Sequence, residues 1–301
     1  MALFGKEKVV VALGGGGSRG LAHLGVLKVL EEEGIPIHGI VGTSVGAIVG
    51  AAYALRPEAG PLTEDTLVYL RSDRFRNDHF RRMMFGANEA ESNFARSVLS
   101  AVRKSFSFTN LIRRQAIFEG GKLRETIVDI IGEKTFDDIK IPFGVPAIDL
   151  RPPEEVLLTQ GDLTDAVVAS CSLPGFFPPV EIDGMLLADV GVIGSVPVDA
   201  AREFVPGALV IAVDLSTEIE PIESIERGWD SIMRVESIAA SKLNESEMQR
   251  ADICIRPQIG PKYWSDFSEL LHMVEAGAEA TREQIPAIHS HGRSWLRFIK
   301  K

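Results

Sequence analysis

Lys8-Val-Val-Val-Ala-Leu-Gly-Gly-Gly-Gly-Ser-Arg-Gly20 opens the stretch that decides the fold, and Leu21 to Gly46 completes it. The short β-branched run up to Leu13 reads as a strand, and four glycines follow it directly. From Ser18 to Glu33 the residues Leu21, Leu24, Leu27 and Leu30 recur at helical steps, and Gly34 then supplies a stop beyond the last turn. Ile35 to Val41 reads as a second strand. It runs into Gly42-Thr43-Ser44-Val45-Gly46, and Ala47 to Leu55 is apolar enough for a buried helix. Strand, glycine turn, helix, repeated once, is the βαβ signature of a parallel sheet. Both glycine turns then fall at the carboxyl edge of the sheet, where sites in α/β proteins form.

Working outward, residues 60–120 differ in composition. They carry the run Arg71-Ser-Asp-Arg-Phe-Arg-Asn-Asp-His-Phe-Arg-Arg82 and several Met and Phe, and read as a helical insertion or lid within a single domain of 1–301. Beyond it a helix is expected over Leu123–Ile131 and strands over Pro142–Leu150 and Glu155–Thr159, joined tightly at Arg151-Pro152-Pro153. A short helix over Leu163–Ser170 enters the rigid loop Ser172-Leu-Pro-Gly-Phe-Phe-Pro-Pro-Val180. Met185–Asp189, Ala208–Leu215 and Asp252–Ile255 supply further strands.

Two motifs carry chemistry. Gly42-Thr43-Ser44-Val45-Gly46 is a G-x-S-x-G between a strand and a helix, a setting that lifts a serine hydroxyl to the sheet edge on a sharp turn. The bland alternative is a tight connection with Ser44 capping its helix. Gly15, Gly17 and Gly20 spell G-x-G-x-x-G, but the second strand ends in Gly42-Thr43-Ser44, with no carboxylate to hold a ribose. The same loop offers unshielded N–H groups at a helix N-terminus, and beside a nucleophilic serine these would hold an oxyanion. For the base, a Ser-Asp-His order would call on Asp189 or Asp214 with His272, His289 or His291. A nucleophile already on the second strand, and histidines far from any glycine-bounded strand end, weigh against that order. His23 reads as a packing residue. A carboxylate can serve instead in a dry site, and Asp189, ending a strand and followed by Val190-Gly191, is the leading choice.

Together, Gly15-Gly16-Gly17-Ser18-Arg19-Gly20, Gly42-Thr43-Ser44-Val45-Gly46, Asp189-Val190-Gly191 and the segment Ala169–Val180 resemble the motifs of the patatin-like phospholipase family, in its bacterial form. The resemblance spans about residues 8–215 apart from the 60–120 insertion. It implies a three-layer α/β/α fold with a mostly parallel sheet and a Ser-Asp dyad, hydrolysing lipid acyl esters with no metal or cofactor. It makes Ser44 the nucleophile, Asp189 the proton acceptor and Gly16, Gly17 and Ser18 the oxyanion donors, with Arg19 beside them. Two departures stand out. Val190 replaces the first glycine of the third motif, which would strain the chain if that position needs a positive φ. Gly194 stands where the family often has asparagine, removing an orienting hydrogen bond.

The chain has 301 residues, 45% hydrophobic and 25% charged, with a net charge of −10. Acidity on that scale speaks against nucleic acid as a partner. The charge is uneven: ten basic residues between Arg71 and Arg114 against four acidic ones give that segment +6, so an anionic membrane remains an eligible partner. The basic, aromatic end Arg293–Lys301 hints the same way. With Cys171 and Cys254 read as reduced thiols, no secretory leader in Met1–Leu13 and no ~18-residue apolar window, the expected location is cytoplasmic, with peripheral membrane contact. Two other readings keep the same pocket: a non-hydrolytic binding protein and an acyltransferase.

Overall fold

The computed structural model describes residues 8–76, 116, 118–192, 194–216, 228–259 and 270–298, with single positions between 219 and 225. In chain order its elements are β1 (Val9–Leu13), α1 (Leu21–Glu32), β2 (Gly39–Gly42), α2 (Val45–Leu55), α3 (Ala59–Arg71) and α4 (Asp73–Arg76). Then come α5 (Gly120–Ile131), β3 (Phe143–Asp149), β4 (Glu154–Leu158), α6 (Leu163–Ser170), β5 (Val180–Ile182) and β6 (Met185–Ala188). The remainder is α7 (Val198–Phe204), β7 (Leu209–Val213), α8 (Gly228–Met248), β8 (Ile253–Ile255) and α9 (Leu270–Phe298).

The strands form one sheet in the order β5-β6-β3-β2-β1-β7-β8, with β4 also paired to β3. Its body, β3-β2-β1-β7-β8, is parallel, and β4, β5 and β6 add antiparallel pairings at one side. The sheet is therefore mixed. Side-chain alternation along β1 divides the core into two layers. Val9, Val11 and Leu13 pack with α1, α2 and α9, whereas Val10 and Ala12 pack with Val198 and Ala201 of α7 and Met248 of α8. Helices thus cover both faces, giving three layers.

Helix α1 ends as its sequence dictates. Gly34 takes φ 65°, and the Ile35 N–H donates to Leu30 O at 2.9 Å, closing the last turn. That bond, with Pro36 next, corrects the expected second strand: Ile35 belongs to the helix stop, and pairing with β1 begins at Gly39. Arg151-Pro152-Pro153 does connect an antiparallel pair, β3 and β4. Within 60–120, α3 and α4 are described together with residues 116 and 118–120, of which 116, 118 and 119 are not helical; the rest, with most of the basic residues, lies outside the described residues.

Candidate active site

Ser44 leaves β2 and enters α2 with φ 55° and ψ −120°, a conformation that non-glycine residues rarely adopt. Two flanking glycines let the chain turn this sharply. A Cβ at Gly42 would overlap Gly46 O, and a Cβ at Gly46 would overlap Leu13 O of the neighbouring strand. The turn is clamped from outside. Ser170 Oγ accepts the Ser44 N–H at 3.1 Å, and Cys171 Sγ donates to the Ser44 carbonyl at 3.3 Å. Burial, and next the charge of Asp189, push the Cys171 thiol well up, so it stays a neutral donor.

Sheet register delivers the carboxylate. Gly144 of β3 lies level with Val41 of β2, and Ile148 pairs with Ala188 of antiparallel β6. Counting along both ladders sets Asp189, the residue after β6, level with Ser44. Asp189 Oδ1 accepts the Gly191 N–H at 2.7 Å, and the Ser44 hydroxyl lies near enough to the carboxylate to favour its charged form. Asp189 is 5% exposed. Burial raises its pKa to about 6 against the Gly191 N–H and the Ser44 hydroxyl, which favour the charged form. Val190 sits in a short 3₁₀ turn, Val190–Val192, and is not among the described non-glycine residues with positive φ, which are Ser44 and Asp183. The feared strain at Val190 is therefore absent.

The glycine loop after β1 lies against the elbow. A Cβ on Gly15 would sit in contact with Ser44 Cβ at 3.5 Å. Gly14 N–H donates to Val213 O at 3.0 Å and Gly15 N–H to Ser195 O at 2.9 Å. Among the described residues, the N–H groups of Gly16, Gly17 and Ser18 have no protein acceptor. The Gly15 N–H is already taken by Ser195 O, and a Cβ at Gly20 would overlap the Val45 side chain. Arg19 donates from Nε to Gly16 O at 3.1 Å, bracing the loop. Burial lowers its pKa, with the Asp214 carboxylate acting in opposition.

His23 stands behind the loop, fully buried, with Nε2 2.8 Å from Gly14 O. A carbonyl only accepts, so Nε2 carries the proton, and burial holds the imidazole down at about 4, hence neutral. It is more than the packing residue expected from sequence, yet it is not a base. His289 faces Glu33 at 3.8 Å, at the end of α1 opposite the glycine loop and about 18 Å along that helix.

An apolar cavity of about 350 Å³ opens beside this cluster, lined at one end by Gly17, Ser18 and Val45. It follows α2 past Ile48, Val49 and Ala52 to Leu55 and is closed by Leu62, Tyr69 and Leu70 of α3 and Ile130 of α5. Val45 to Leu55 spans about 15 Å of helix. No grouping of three or more His, Cys, Asp or Glu side chains suited to a metal occurs among the described residues.

Sequence reasoning assigned no role to Ser170, Cys171, Ser195 or Asn244. Ser170 and Cys171 were visible within the Ala169–Val180 segment as small polar residues ending a helix, a weak signal for a backbone clamp. Nothing local marks Asn244.

The family model for patatin-like phospholipases matches residues 11–202. An uncharacterised NTE family protein of Mycobacterium bovis is 34% identical over 220 residues, covering 73% of this chain and 52% of its own length. Patatin-like phospholipase domain-containing protein 6 of Homo sapiens is 30% identical over 215 residues, covering 70% of this chain and 14% of its own. Among solved structures, VipD from Legionella pneumophila aligns over 92% of this chain and 66% of that one, with a TM-score of 0.45 and 15% identity. The chain belongs to the patatin-like phospholipase family. It spans about half the length of the mycobacterial relatives it matches. No described helix is long and apolar enough to cross a membrane.

Proposed function

We propose that this chain is a serine-dependent acyl hydrolase of lipid esters, working through Ser44 and Asp189. The observation that carries the reading is Ser44 on its constrained turn, beside a buried carboxylate with a raised pKa and next in sequence to Val45, which lines an apolar cavity. Ser44 Oγ attacks the acyl carbonyl carbon as its proton passes to Asp189. The carbonyl oxygen becomes an oxyanion facing the N–H groups of Gly16, Gly17 and Ser18. Collapse breaks the ester bond; the leaving alcohol takes the proton from Asp189, and the acyl group stays on Ser44. Water then attacks, giving a proton to Asp189, and release of the fatty acid returns that proton to Ser44. The cavity accepts the acyl chain, since its walls along α2 are apolar. Phospholipids and lysophospholipids fit this chemistry equally, and contact with an anionic membrane surface belongs to the same proposal.

The test is hydrolysis of p-nitrophenyl acyl esters and of a lipid panel by wild type and Ser44→Ala. Loss of turnover in a folded variant supports the reading, and unchanged turnover sinks the nucleophile. Product that forms only when an alcohol or thiol acceptor is added would instead make the chain an acyltransferase.

A further inference from the structure

The third motif lacks the asparagine that its resemblance to the family led us to look for, and Gly194 has no side chain with which to orient anything. The structure fills that need from elsewhere. Asn244, on α8 and outside the 11–202 match, is 5% exposed and grips Ser195 twice. Its Oδ1 accepts the Ser195 N–H at 2.6 Å, and its Nδ2 donates to Ser195 Oγ at 2.8 Å. Ser195 passes the constraint on, because its carbonyl accepts the Gly15 N–H at 2.9 Å. Gly15 in turn opens the loop whose next three N–H groups, those of Gly16, Gly17 and Ser18, are the donors of the proposed oxyanion site. Helix α8 is itself anchored just beyond this contact. Glu245 pairs with Arg256 at 2.7 Å, and Arg256 with Asp214 at 3.3 Å, while Glu247 Oε2 accepts the Asp199 N–H at 3.1 Å.

We infer that Asn244 is a positioning residue for the oxyanion loop, acting through Ser195 and Gly15. It touches no reacting atom. A side-chain amide suits the task because it offers one acceptor and one donor in a single plane, matching the N–H and hydroxyl of Ser195. Two hydrogen bonds from one side chain to Ser195 fix where its carbonyl aims. That aim decides whether the following N–H groups converge on one point, which oxyanion stabilisation needs. The catalytic part of this inference rests on the proposed hydrolysis; the mechanical part does not.

The experiment uses the full chain and two readouts. Hydrogen exchange is followed in peptides covering residues 14–20 for wild type, Asn244→Ala and Asn244→Asp. Asn244→Ala should speed exchange in that loop beyond any global change. Asn244→Asp should restore protection, because a carboxylate accepts from both the N–H and the hydroxyl of Ser195. In parallel, kcat on a p-nitrophenyl ester should fall ~10–100-fold in Asn244→Ala with KM little changed. Affinity for a trifluoromethyl ketone, which forms an oxyanion on Ser44, should fall in step with kcat. If Asn244→Ala does not fold, Ser195→Ala, which loses only the side-chain half of the grip, gives a smaller change in the same direction. Unchanged loop protection overturns the inference, as does a kcat loss no larger than global destabilisation explains. Wild-type protein with no Ser44-dependent turnover overturns the proposed hydrolysis instead, and the exchange result still decides the link from Asn244 to the loop.

Discussion

Ser170 Oγ accepts the backbone N–H of Ser44 at 3.1 Å, across 126 residues of chain. A non-glycine residue at φ 55° and ψ −120° costs on the order of 1–3 kcal/mol and persists only where its surroundings hold it. Ser170, with Cys171 on the Ser44 carbonyl, supplies that hold. Replacing Ser170 with alanine leaves the Ser44 N–H without its partner, so Ser170→Ala should lose ~1–3 kcal/mol of stability in urea denaturation. Ester turnover should fall as well, because the relaxed turn no longer aims the hydroxyl at Asp189. A variant with wild-type stability and turnover would show that the turn holds itself.

The buried Asp189 makes rate and stability respond to pH in opposite senses. In the proposed mechanism only the carboxylate form accepts the Ser44 proton, so kcat/KM should drop about tenfold per pH unit below about 6 and level off above it. Stability runs the other way. The folded value of about 6 lies above the ordinary 3.8, so between them the folded chain binds more protons than the unfolded one. Stability therefore falls as pH rises through that window, by ~3 kcal/mol in all. Asp189→Asn should melt higher than wild type above pH 6, with the difference closing towards pH 4, while losing turnover. A thermal-melt series over pH, with matching rates, checks both.

Val190→Gly would speed turnover only if Val190 were held at a positive φ, and it is not. Val190 is 3% exposed, and its backbone is free of the strain that glycine would relieve. The substitution should remove buried side-chain contacts, costing ~1–3 kcal/mol in chemical denaturation, and give no gain in rate. Faster turnover in Val190→Gly would contradict the observed geometry.

Ala52 lies partway down the cavity wall, seven residues or about 10 Å along α2 from Val45. Ala52→Phe should divide the space. Long-chain p-nitrophenyl esters should lose kcat/KM by tenfold or more while the acetate and butyrate esters change little. An equal loss for all chain lengths would place the acyl group elsewhere.

Much of this site was legible in the sequence, and the reason is local. Gly42 and Gly46 are there because backbone comes too close for a side chain, and such demands leave a mark at fixed spacing. Asp189 was legible because it follows a strand directly and stands two residues before Gly191. The grip of Asn244 on Ser195 was not, since the two lie 49 residues apart on elements whose meeting only the folded sheet determines. His23 was half read: its place on a buried helix was plain, its bond to Gly14 was not. The second strand was misplaced because helix closure at Gly34 uses Ile35, whose apolar side chain looks the same in either role.

The order of the strands bears on how the molecule can be divided. Similarity to the family model stops at residue 202, yet β1, at the heart of the sheet, is flanked on one side by β7, Val9 opposite Leu209 and Leu13 opposite Val213. A fragment ending at residue 202 would leave five consecutive buried β1 residues with an open row of N–H and C=O groups. Bare apolar edges of that kind recruit other chains. Insoluble aggregate, rather than a smaller folded protein, is the expected yield of such a cut, and the boundary of resemblance is no guide to where this protein can be shortened.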